Sequence, residues 1–369
     1  MKIAVLSSHT PSLFWFRMDM MKYFQTLGHE VIAIGDEPTD AWGKVFEEND
    51  IKYFAADIKR NGMNPFDEIK AIKSLRRILK AEMPDKIFTY QAKTIIYGSI
   101  AANQLGIKEI YPLIAGLGSV FLGNSFRMTV VAHILKIEYR LALKNAVKVF
   151  FQNSDDIDFF VKEHLLSKDK IVKIHGSGVN LDRFKPQTLP DKAAFLCISR
   201  LIRDKGVLEY LDAARIVKSQ NPTVRFLLVG PFDTNPSAIS PELLQQYIDD
   251  GTVEYFGEQK DVRPFLEQCS IFVLPSYREG TPKTVLEAMA SCKAVITTDA
   301  PGCRETVQDG VNGYLLPIKN VEAIVKKMNF LIANPHVVKN MAEAGRKMAE
   351  EMFDVKKVNS TICSTMDLY

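Results

Sequence analysis

The sequence predicts an α/β protein with two doubly wound, Rossmann-like parallel sheets, one in each half of the chain. Short apolar runs rich in Val, Ile and Phe recur along the chain and alternate with longer segments of helical periodicity. This alternation is typical of parallel strands joined by helices. The plan occurs twice, and a chain of 369 residues favours two domains of roughly 150–200 residues over one core.

The predicted elements follow in chain order. The first half is expected to hold strands near residues 2–7, 30–34, 51–55, 86–90, 109–114 and 148–152. The second half is expected to hold strands near residues 194–199, 225–230, 253–256, 270–274, 294–298 and 313–316. Its helices are expected near residues 206–219, 261–268, 282–291, 320–333 and 335–350. Sheets of this kind bind ligands beyond the carboxyl ends of their strands, so two facing sheets predict one central cleft.

A polar, proline-bearing linker separates the two halves. It follows a glycine-containing loop within residues 175–186. We therefore place the first domain at residues 1–187 and the second at residues 188–352. Residues 353–369 are too few for a domain, and we expect them to form a helix that packs back on the first domain.

Composition narrows the class of protein. A charged content of 25% with few low-complexity stretches is typical of a folded chain rather than a disordered one. The five cysteines are scattered and have no CxxC pair or histidine cluster beside them, so neither a disulfide framework nor a zinc site is expected. No signal peptide and no membrane span are predicted, since no apolar run approaches ~20 residues. A reducing cytoplasm is the simplest setting.

Charge is distributed unevenly along the chain. Residues 51–150 hold 16 Lys and Arg against 7 Asp and Glu, a balance of +9. Residues 186–369 hold 21 against 23, a balance of −2. The first half is therefore expected to meet an anionic partner, and we expect that partner not to be a nucleic acid.

The segment 277–290 places two carboxylates, Glu279 and Glu287, on either side of a predicted helix start. Pro282 fits the first turn of that helix, where a missing N–H costs nothing. The N-terminus of a helix attracts phosphate, and an acid about two turns further on accepts hydrogen bonds from sugar hydroxyls. This motif predicts a site for a nucleotide with a ribose and a diphosphate.

Two cations follow the first strand of the second half. Arg200 comes directly after the strand, and Lys205 stands at the start of the next helix. Alone they are consistent with ordinary surface cations on a solvated turn. Together with Glu279 and Glu287 they predict one site, because a diphosphate needs more positive charge than a helix dipole supplies.

Glycines end two further strands of the second half, at Gly230 and Gly257. They allow a flat base to approach the backbone closely, although turn glycines are equally common for structural reasons. Arg263 follows, either beneath a base or at the surface.

The loops of the first half offer weaker candidates for acceptor binding. No G-x-G-x-x-G follows the first strand, so dinucleotide-dependent redox chemistry is not expected. Each candidate also has a structural interpretation, such as a core histidine or a helix-start lysine. The candidates are His9, Phe16, Arg17, Lys93, Gly116, Gly118 and Ser119.

Asp156 and Asp158 match the two-aspartate pattern of metal-dependent sugar transferases. They follow Ser154, a good N-cap residue, and most simply serve the first turn of a helix. No metal site is predicted.

Two segments, 69–80 and 127–148, predict basic helices with apolar stripes. One interpretation is two core-packing helices with solvated faces, and the other is a surface held against anionic lipid headgroups. The cations of the second interpretation are Lys73, Arg76, Arg77, Lys80, Lys136, Arg140 and Lys144.

These motifs together resemble the retaining glycosyltransferases of family 4, which have the GT-B fold. The resemblance covers nearly the whole chain. Its carriers are the Glu279/Glu287 motif, the element from Ser199-Arg200 to Lys205-Gly206, and segments 299–307 and 309–315.

Further segments resemble the bacterial branch that builds lipid-linked oligosaccharides and capsules. That branch includes an N-acetylgalactosaminyltransferase acting on undecaprenyl-diphosphate-linked diacetylbacillosamine. The segments are Asn64-Pro-Phe66, Gly116-Leu-Gly-Ser119, Ser177-Gly-Val-Asn-Leu181 and Ser276-Tyr-Arg-Glu-Gly280.

The resemblance implies a role for each half. The second domain would bind a UDP-sugar without a metal or other cofactor. Arg200, Lys205 and Glu279 would be catalytic, the two cations on the diphosphate and Glu279 on the transferred sugar. Glu287 would bind the ribose. The other implied donor contacts are Ser199, Gly230, Gly257, Arg263, Gly280, Thr281 and Pro282.

The first domain would hold a lipid-diphosphate-linked sugar acceptor while the protein lies peripherally on the inner face of the plasma membrane. The chain departs from the family at two places in this domain. A loop at 10–12 replaces a common glycine pair, and residues 91–93 stand where a histidine is often found.

Two other functions remain open at the level of sequence. One is a GT-B-fold epimerase acting on UDP-N-acetylglucosamine, which would need no acceptor. The other is a nucleotide-sugar-binding protein without catalysis.

Overall fold

The structure, a computed structural model, describes residues 1–59, 64–117 and 126–369. The chain divides into two compact units. The first consists of Met1–Ser177 together with Val355–Tyr369, and the second of Gly178–Asp354. The division between the units lies at Gly178, ahead of the boundary near residue 188 expected from the linker.

The described part of the first unit contains a seven-stranded parallel sheet with the order β3-β2-β1-β4-β5-β6-β7. The strand order reverses between β1 and β4, the point at which sheets of this type bind ligands. The strands are β1 (Lys2–Ser7), β2 (Glu30–Gly35), β3 (Lys52–Ala55), β4 (Lys86–Tyr90), β5 (Ile110–Ile114), β6 (Val149–Phe151) and β7 (Ile171–Lys173). Strand β7 was not predicted, since its three residues carry a weak signal.

The helices of the first unit pack on both faces of this sheet. They are α1 (Thr10–Ser12), α2 (Met18–Thr26), α3 (Thr39–Glu47), α4 (Pro65–Glu82), α5 (Ser99–Gln104), α6 (Phe126–Leu143), α7 (Ser154–Lys162) and α14 (Val355–Thr365). Two π-helical turns, Leu13–Arg17 and Thr94–Gly98, follow strands β1 and β4. Wide turns of this kind often mark functional sites.

The C-terminal helix α14 belongs to the core of the first unit. Val358, Ile362 and Cys363 are buried in one apolar cluster with Met21 and Phe24 of α2. The cluster also includes inward-facing residues of β1 and β4. Burial of apolar area of this kind is the main driving force that holds a terminal helix on a domain.

The second unit contains a six-stranded parallel sheet with the order β10-β9-β8-β11-β12-β13. Its order reverses between β8 and β11. The strands are β8 (Ala194–Ile198), β9 (Arg225–Val229), β10 (Glu254–Tyr255), β11 (Ile271–Leu274), β12 (Ala294–Thr298) and β13 (Gly313–Leu316). The helices are α8 (Val207–Gln220), α9 (Pro241–Asp249), α10 (Arg263–Glu267), α11 (Lys283–Ala290), α12 (Val321–Ala333) and α13 (Pro335–Met352).

The predicted α/β class with two parallel sheets is confirmed, and each predicted strand has a counterpart. One detail of capping differs from the prediction. Helix α7 is capped by Asn153, whose side chain accepts a hydrogen bond from Asp156 N at 2.8 Å, rather than by Ser154. Among the described helices, none is both long enough and apolar enough to cross a membrane.

Candidate functional site

The loops that follow β8 and β11 meet at the point where the order of the second sheet reverses. Strands β8 and β11 are neighbours, so their carboxyl ends lie side by side. The Tyr277 N–H donates to the Asp204 carbonyl at 2.9 Å and ties the two loops together. The residues predicted to bind a diphosphate and those predicted to bind a sugar are therefore brought together.

Gly206 allows this close approach of the two loops. Its φ is +68°, a left-handed conformation that costs glycine little. A Cβ atom at this position would lie 2.1 Å from the Pro275 carbonyl oxygen at the end of β11. Only glycine therefore fits between the 3-10 turn Arg203–Lys205 and the neighbouring strand end.

Lys205 and Glu279 form an ion pair across the two loops. The Lys205 Nζ–Glu279 Oε1 distance is 2.5 Å, and Ser276 Oγ donates to the same oxygen at 2.8 Å. Both side chains of the pair are largely buried, at 19% and 13% exposed. A pair removed from water interacts more strongly than one on the surface, so each partner holds the other in place. Sequence reasoning missed Ser276, although it stands three residues before Glu279 in the same motif.

Arg200 pairs with a carboxylate that was not predicted. Its Nη1 atom lies 2.7 Å from Asp233 Oδ2, and Asp233 Oδ1 accepts from the Asn235 N–H at 2.8 Å. The side chain of Arg200 is 42% exposed. Asp233 therefore orients Arg200 without removing it from solvent. The signal for Asp233 was its place just beyond β9, in the loop that follows Gly230.

Glu287 lies in the middle of α11 and is 9% exposed. Burial raises the pKa of Glu287 to about 7 and Asp261 adds to this, while the positive charges of Lys283 and Arg183 oppose the shift. Among the described residues the carboxylate has no hydrogen-bond partner. A buried carboxylate of this kind gains from a ligand that donates hydrogen bonds to it.

The turn before α11 contains the three residues predicted to contact the donor sugar. Gly280 and Thr281 are half-buried, and Pro282 is buried. Pro282 is the N-cap of α11 rather than its first helical residue. Its carbonyl accepts from the Val285 N–H at 3.1 Å.

Gly230 and Gly257 meet at the ends of β9 and β10. The Gly230 N–H donates to the Gly257 carbonyl at 2.8 Å, and the Ser199 N–H donates to the Val229 carbonyl at 3.0 Å. A Cβ atom on Gly230 would lie 1.8 Å from the Ser199 carbonyl oxygen. Close packing of the two backbones therefore explains why a glycine stands at position 230, and no ligand is needed to explain it. Arg263 is held at the surface by Asp261, at 2.6 Å.

The residues predicted to bind the acceptor are spread over several environments in the first unit. His9 has Asp36 and Glu37 beside it, with candidate ligand atoms of all three within 4.8 Å of one another. Asp36 accepts from the Thr10 N–H at 2.7 Å, and Glu37 accepts from Trp42. These hydrogen bonds within the loop are enough to explain why the three side chains lie close together.

Arg17 is buried, at 2% exposed, rather than displayed to solvent. Its guanidinium lies 4.8 Å from the ring centre of Tyr90 and 5.9 Å from that of Phe88. Burial lowers the pKa of Arg17 to about 10. A cation facing aromatic rings is stabilised by the negative potential of their faces, so Arg17 contributes to the core of the first unit.

The remaining acceptor candidates divide as follows. Phe16 is exposed. Lys93 lies 3.0 Å from Glu68, a partner that was not predicted. Gly116 follows β5 with φ of +117°, whereas Gly118 and Ser119 lie outside the described residues.

A polar network joins the loops after β1 and β4, at the reversal point of the first sheet. Gln91 has a positive φ of 72°, and its Oε1 accepts from Ser7 Oγ at 2.9 Å and from Ser8 Oγ at 3.0 Å. Ser12 Oγ lies 2.8 Å from the Tyr90 hydroxyl. A positive φ in a residue other than glycine persists where the surrounding structure fixes it. Here the hydrogen-bond network of the Gln91 side chain fixes it.

Family models match both units of the chain. The model for glycosyl transferases group 1 matches residues 179–348, and that for glycosyl transferase 4-like proteins matches residues 2–153. The chain is 30% identical to the N,N'-diacetylbacillosaminyl-diphospho-undecaprenol alpha-1,3-N-acetylgalactosaminyltransferase of Campylobacter jejuni, over 93% of this chain and 92% of the relative. The chain belongs to the group 1 glycosyltransferases. The resemblance to family 4 drawn from the motifs is thereby confirmed.

The names of two further relatives of this glycosyltransferase also describe bacterial sugar transfer. One is the UDP-Gal:alpha-D-GlcNAc-diphosphoundecaprenol alpha-1,3-galactosyltransferase of Escherichia coli, 24% identical over 83% of this chain and 80% of the relative. The other is the capsular polysaccharide biosynthesis glycosyltransferase CapM of Staphylococcus aureus, 28% identical over 78% of both chains.

Solved structures share the fold of this glycosyltransferase over its whole length. Anabaena HepE in complex with UDP and glucose superimposes with a TM-score of 0.81 at 20% identity, covering 100% of both chains. A glycosyltransferase of Rickettsia africae gives 0.79 at 22% identity, covering 99% of this chain and 97% of the other. The predicted GT-B class is confirmed.

Proposed function

We propose that this enzyme transfers an N-acetylhexosamine or a hexose from a UDP-sugar to an undecaprenyl-diphosphate-linked acceptor. The product would be part of a bacterial glycoprotein, capsule or O-antigen glycan. The names of the Campylobacter and Escherichia relatives support both substrates. The observation that carries the proposal is the Lys205–Glu279 ion pair, which stands at the reversal point of the second sheet.

In the proposed complex the donor diphosphate lies between the two loops. Lys205 and Arg200 bind its oxygens, and Ser199 contacts it from the end of β8. As the bond between the sugar C1 and the β-phosphate oxygen breaks, negative charge grows on the departing UDP. Fixed cations that face this charge lower the barrier, and one such contact contributes about 10²–10³-fold in rate.

The two carboxylates have separate proposed roles. Glu287 accepts hydrogen bonds from the ribose hydroxyls, because it is buried and has no other partner among the described residues. Glu279 contacts the transferred sugar together with Gly280 and Thr281. When the donor arrives, its diphosphate competes with Glu279 for Lys205. Glu279 then becomes available to the sugar hydroxyls.

We propose that the reaction retains the anomeric configuration and requires no metal. Retention is supported by membership of the glycosyl transferase 4-like group. Metal independence is supported by Arg200 and Lys205, which provide near the diphosphate the positive charge that a divalent ion provides elsewhere. Transfer that continues in the presence of a chelator, with an α-linked product by NMR, is the expected result.

The acceptor is proposed to bind the first unit, with the enzyme associated peripherally with the inner face of the plasma membrane. The lipid acceptors named for the relatives support this location. Acceptor contacts are proposed from the polar loops after β1 and β4, where His9 and Lys93 lie.

The experiment is a screen of UDP-sugars with a short-chain prenyl-diphosphate-linked sugar as acceptor, with UDP release and lipid product measured together. Acceptor-dependent release of UDP from one donor is expected, and Lys205→Ala should lower its rate about 10²–10³-fold. Free epimer formed without acceptor would instead identify a UDP-N-acetylglucosamine epimerase. Binding of UDP-sugars without any turnover would identify a non-catalytic binding protein. Either result would overturn the proposal.

A further inference from the structure

Helix α6 exposes an apolar stripe along most of its length. The stripe consists of Val130, Ile134, Ile137 and Leu141, which are 43%, 51%, 44% and 63% exposed. Their spacing of four, three and four residues places them on one face of the helix. The opposite face is also apolar, since Tyr139, Ala142 and Leu143 are buried in the core. A solvated surface helix does not need a second apolar face.

A basic depression lies at the C-terminal end of this stripe. It has a volume of about 450 Å³, and Leu141 belongs both to it and to the stripe. Its lining among the described residues includes no carboxylate and carries the basic side chains of Arg140, Lys144, His164 and Lys170.

Contacts with backbone oxygens hold two of the cations of the depression, Arg140 and Lys170, in place. Arg140 Nε donates to the His164 carbonyl at 3.2 Å, and Lys170 Nζ donates to the Lys144 carbonyl at 2.7 Å. A carbonyl oxygen carries no net charge, so these bonds do not neutralise the two cations. Among the described residues, the ammonium group of Lys144 has no carboxylate partner. Lys136 differs, because it lies 2.7 Å from Glu163.

Helix α4 is basic but lacks a comparable stripe. Its apolar residues Leu75 and Leu79 are buried in the core, and the cations predicted there are exposed. Its exposed apolar side chains, Phe66 and Ile69, stand at its start beside Asp67 and Glu68. Exposed apolar groups therefore run along most of α6, whereas on α4 they are confined to the start of the helix.

We propose that α6 lies in the interface of an anionic phospholipid membrane, with its stripe below the level of the phosphates and a lipid phosphate group in the basic depression. Charge complementarity favours this occupant, because an apolar face bordered by fixed cations matches acyl chains bordered by phosphates. The proposal deepens the proposed function, since it rests on an acceptor that stays in a membrane.

The test measures binding of the full chain to vesicles of phosphatidylcholine with phosphatidylglycerol, and to vesicles of phosphatidylcholine alone. Ile134→Gln with Leu141→Gln is expected to weaken binding to the anionic vesicles at least about tenfold. The matched control replaces Ile216 and Phe330, both 42% exposed in the second unit, by Gln. It is expected to bind like the wild type. Equal binding by the α6 variant and the wild type would overturn the proposal.

A second pair of variants separates the two basic helices. Lys144→Gln is expected to weaken binding about fivefold on anionic vesicles and to have no effect on neutral ones. Lys73→Gln, the same change on α4, is expected to have less than a twofold effect. If Lys73→Gln weakens binding to anionic vesicles as much as Lys144→Gln does, the assignment of the membrane contact to α6 is wrong.

Self-association and sugar transfer are measured alongside vesicle binding. Sedimentation without vesicles reports self-association, and a wild-type dimer that the stripe variant converts to a monomer would mean that a second copy covers the stripe. That result would also overturn the proposal. Transfer to a water-soluble prenyl diphosphate acceptor is measured in parallel. A chain that binds vesicles but transfers no sugar would contradict the proposed function and leave the membrane site standing.

Discussion

Lys205 Nζ lies 2.5 Å from Glu279 Oε1, so the cation proposed for the donor diphosphate is paired with a carboxylate of the protein itself. The pair joins the loops after β8 and β11 across the reversal point of the sheet. Binding of a diphosphate must therefore exchange one anion for another at Lys205. The cost of that exchange is specific to this arrangement, and it can be measured.

Replacing Glu279 by Gln is expected to have opposite effects on binding and turnover. UDP should bind about three- to tenfold more tightly, because Lys205 no longer has a competing anion. Turnover should fall, since Glu279 no longer reaches the sugar. Calorimetry with UDP and steady-state transfer kinetics measure the two effects. Ser276→Ala, which leaves the ion pair intact, is the control. UDP affinity that falls in Glu279→Gln would show that the pair supports diphosphate binding.

Replacing Lys205 by Ala should lower the turnover number about 10²–10³-fold, the magnitude observed when one contact to a developing charge is lost. Arg200→Ala should have a similar but smaller effect, because Arg200 is 42% exposed. Asp233→Asn should lower turnover only a few-fold, since the cation stays and only its orientation is lost. All three are compared at saturating donor. Equal losses for Asp233→Asn and Arg200→Ala would mean that orientation is the whole contribution of Arg200.

Donor affinity should rise with pH through about 7. The pKa of Glu287 is raised to about 7 by burial, and its ionised form accepts two hydrogen bonds from ribose hydroxyls more strongly than its protonated form. Calorimetric titrations with UDP between pH 5.5 and 8.5 (about three units around that pKa) measure the slope. In Glu287→Gln the slope should vanish. A slope that persists in this variant would assign it to another group.

The same residue should destabilise the free protein at high pH. Because the folded-state pKa lies above the unfolded value, the folded chain holds more protons between about 4.5 and 7, and its free energy of unfolding falls as pH rises through that window. Glu287→Gln should therefore raise the free energy of unfolding by about 1–3 kcal/mol at pH 8. It should have little effect near pH 4. Denaturant unfolding at the two pH values provides the measurement.

Gly206→Ala should lower the free energy of unfolding by about 2–4 kcal/mol. The added Cβ would lie 2.1 Å from the Pro275 carbonyl oxygen, and φ is +68°. Gly251 is the matched control in the same unit, because its φ of +72° is similar and nothing lies within 4 Å of a Cβ there. Gly251→Ala should cost about 1 kcal/mol. Equal costs for the two variants would mean that the loop after β8 moves away from Pro275.

The sequence predicts the fold well because the strands of both sheets are buried and carry continuous apolar runs. Their positions need no knowledge of tertiary contacts. Strand β7 was missed because Ile171–Lys173 is short and half-exposed. The predicted cap of α7 was wrong by one residue because Asn153 and Ser154 are both good N-cap residues. Only the backbone conformation decides between them.

The candidate site was predictable where one motif carries both residues, as with Glu279 and Glu287. Partners from other loops were not. Asp233 reaches Arg200 from the loop after β9, and Glu68 reaches Lys93 from the first turn of α4, only because folding brings these separate segments together. Arg17 was predicted at an acceptor site, whereas the structure surrounds its guanidinium with Phe88 and Tyr90. A sequence pattern does not distinguish a buried arginine from a displayed one.

The placement of α14 sets an order of events during synthesis. Val358 and Ile362 complete an apolar cluster that begins at Ile3. The ribosome must therefore translate the whole second unit before the core of the first unit can be completed. Until then the apolar side chain of Phe24 and its neighbours in the cluster remain partly exposed to solvent. We expect the nascent first unit to require protection by chaperones, and a chain truncated before α14 to aggregate although every strand of its sheet is present.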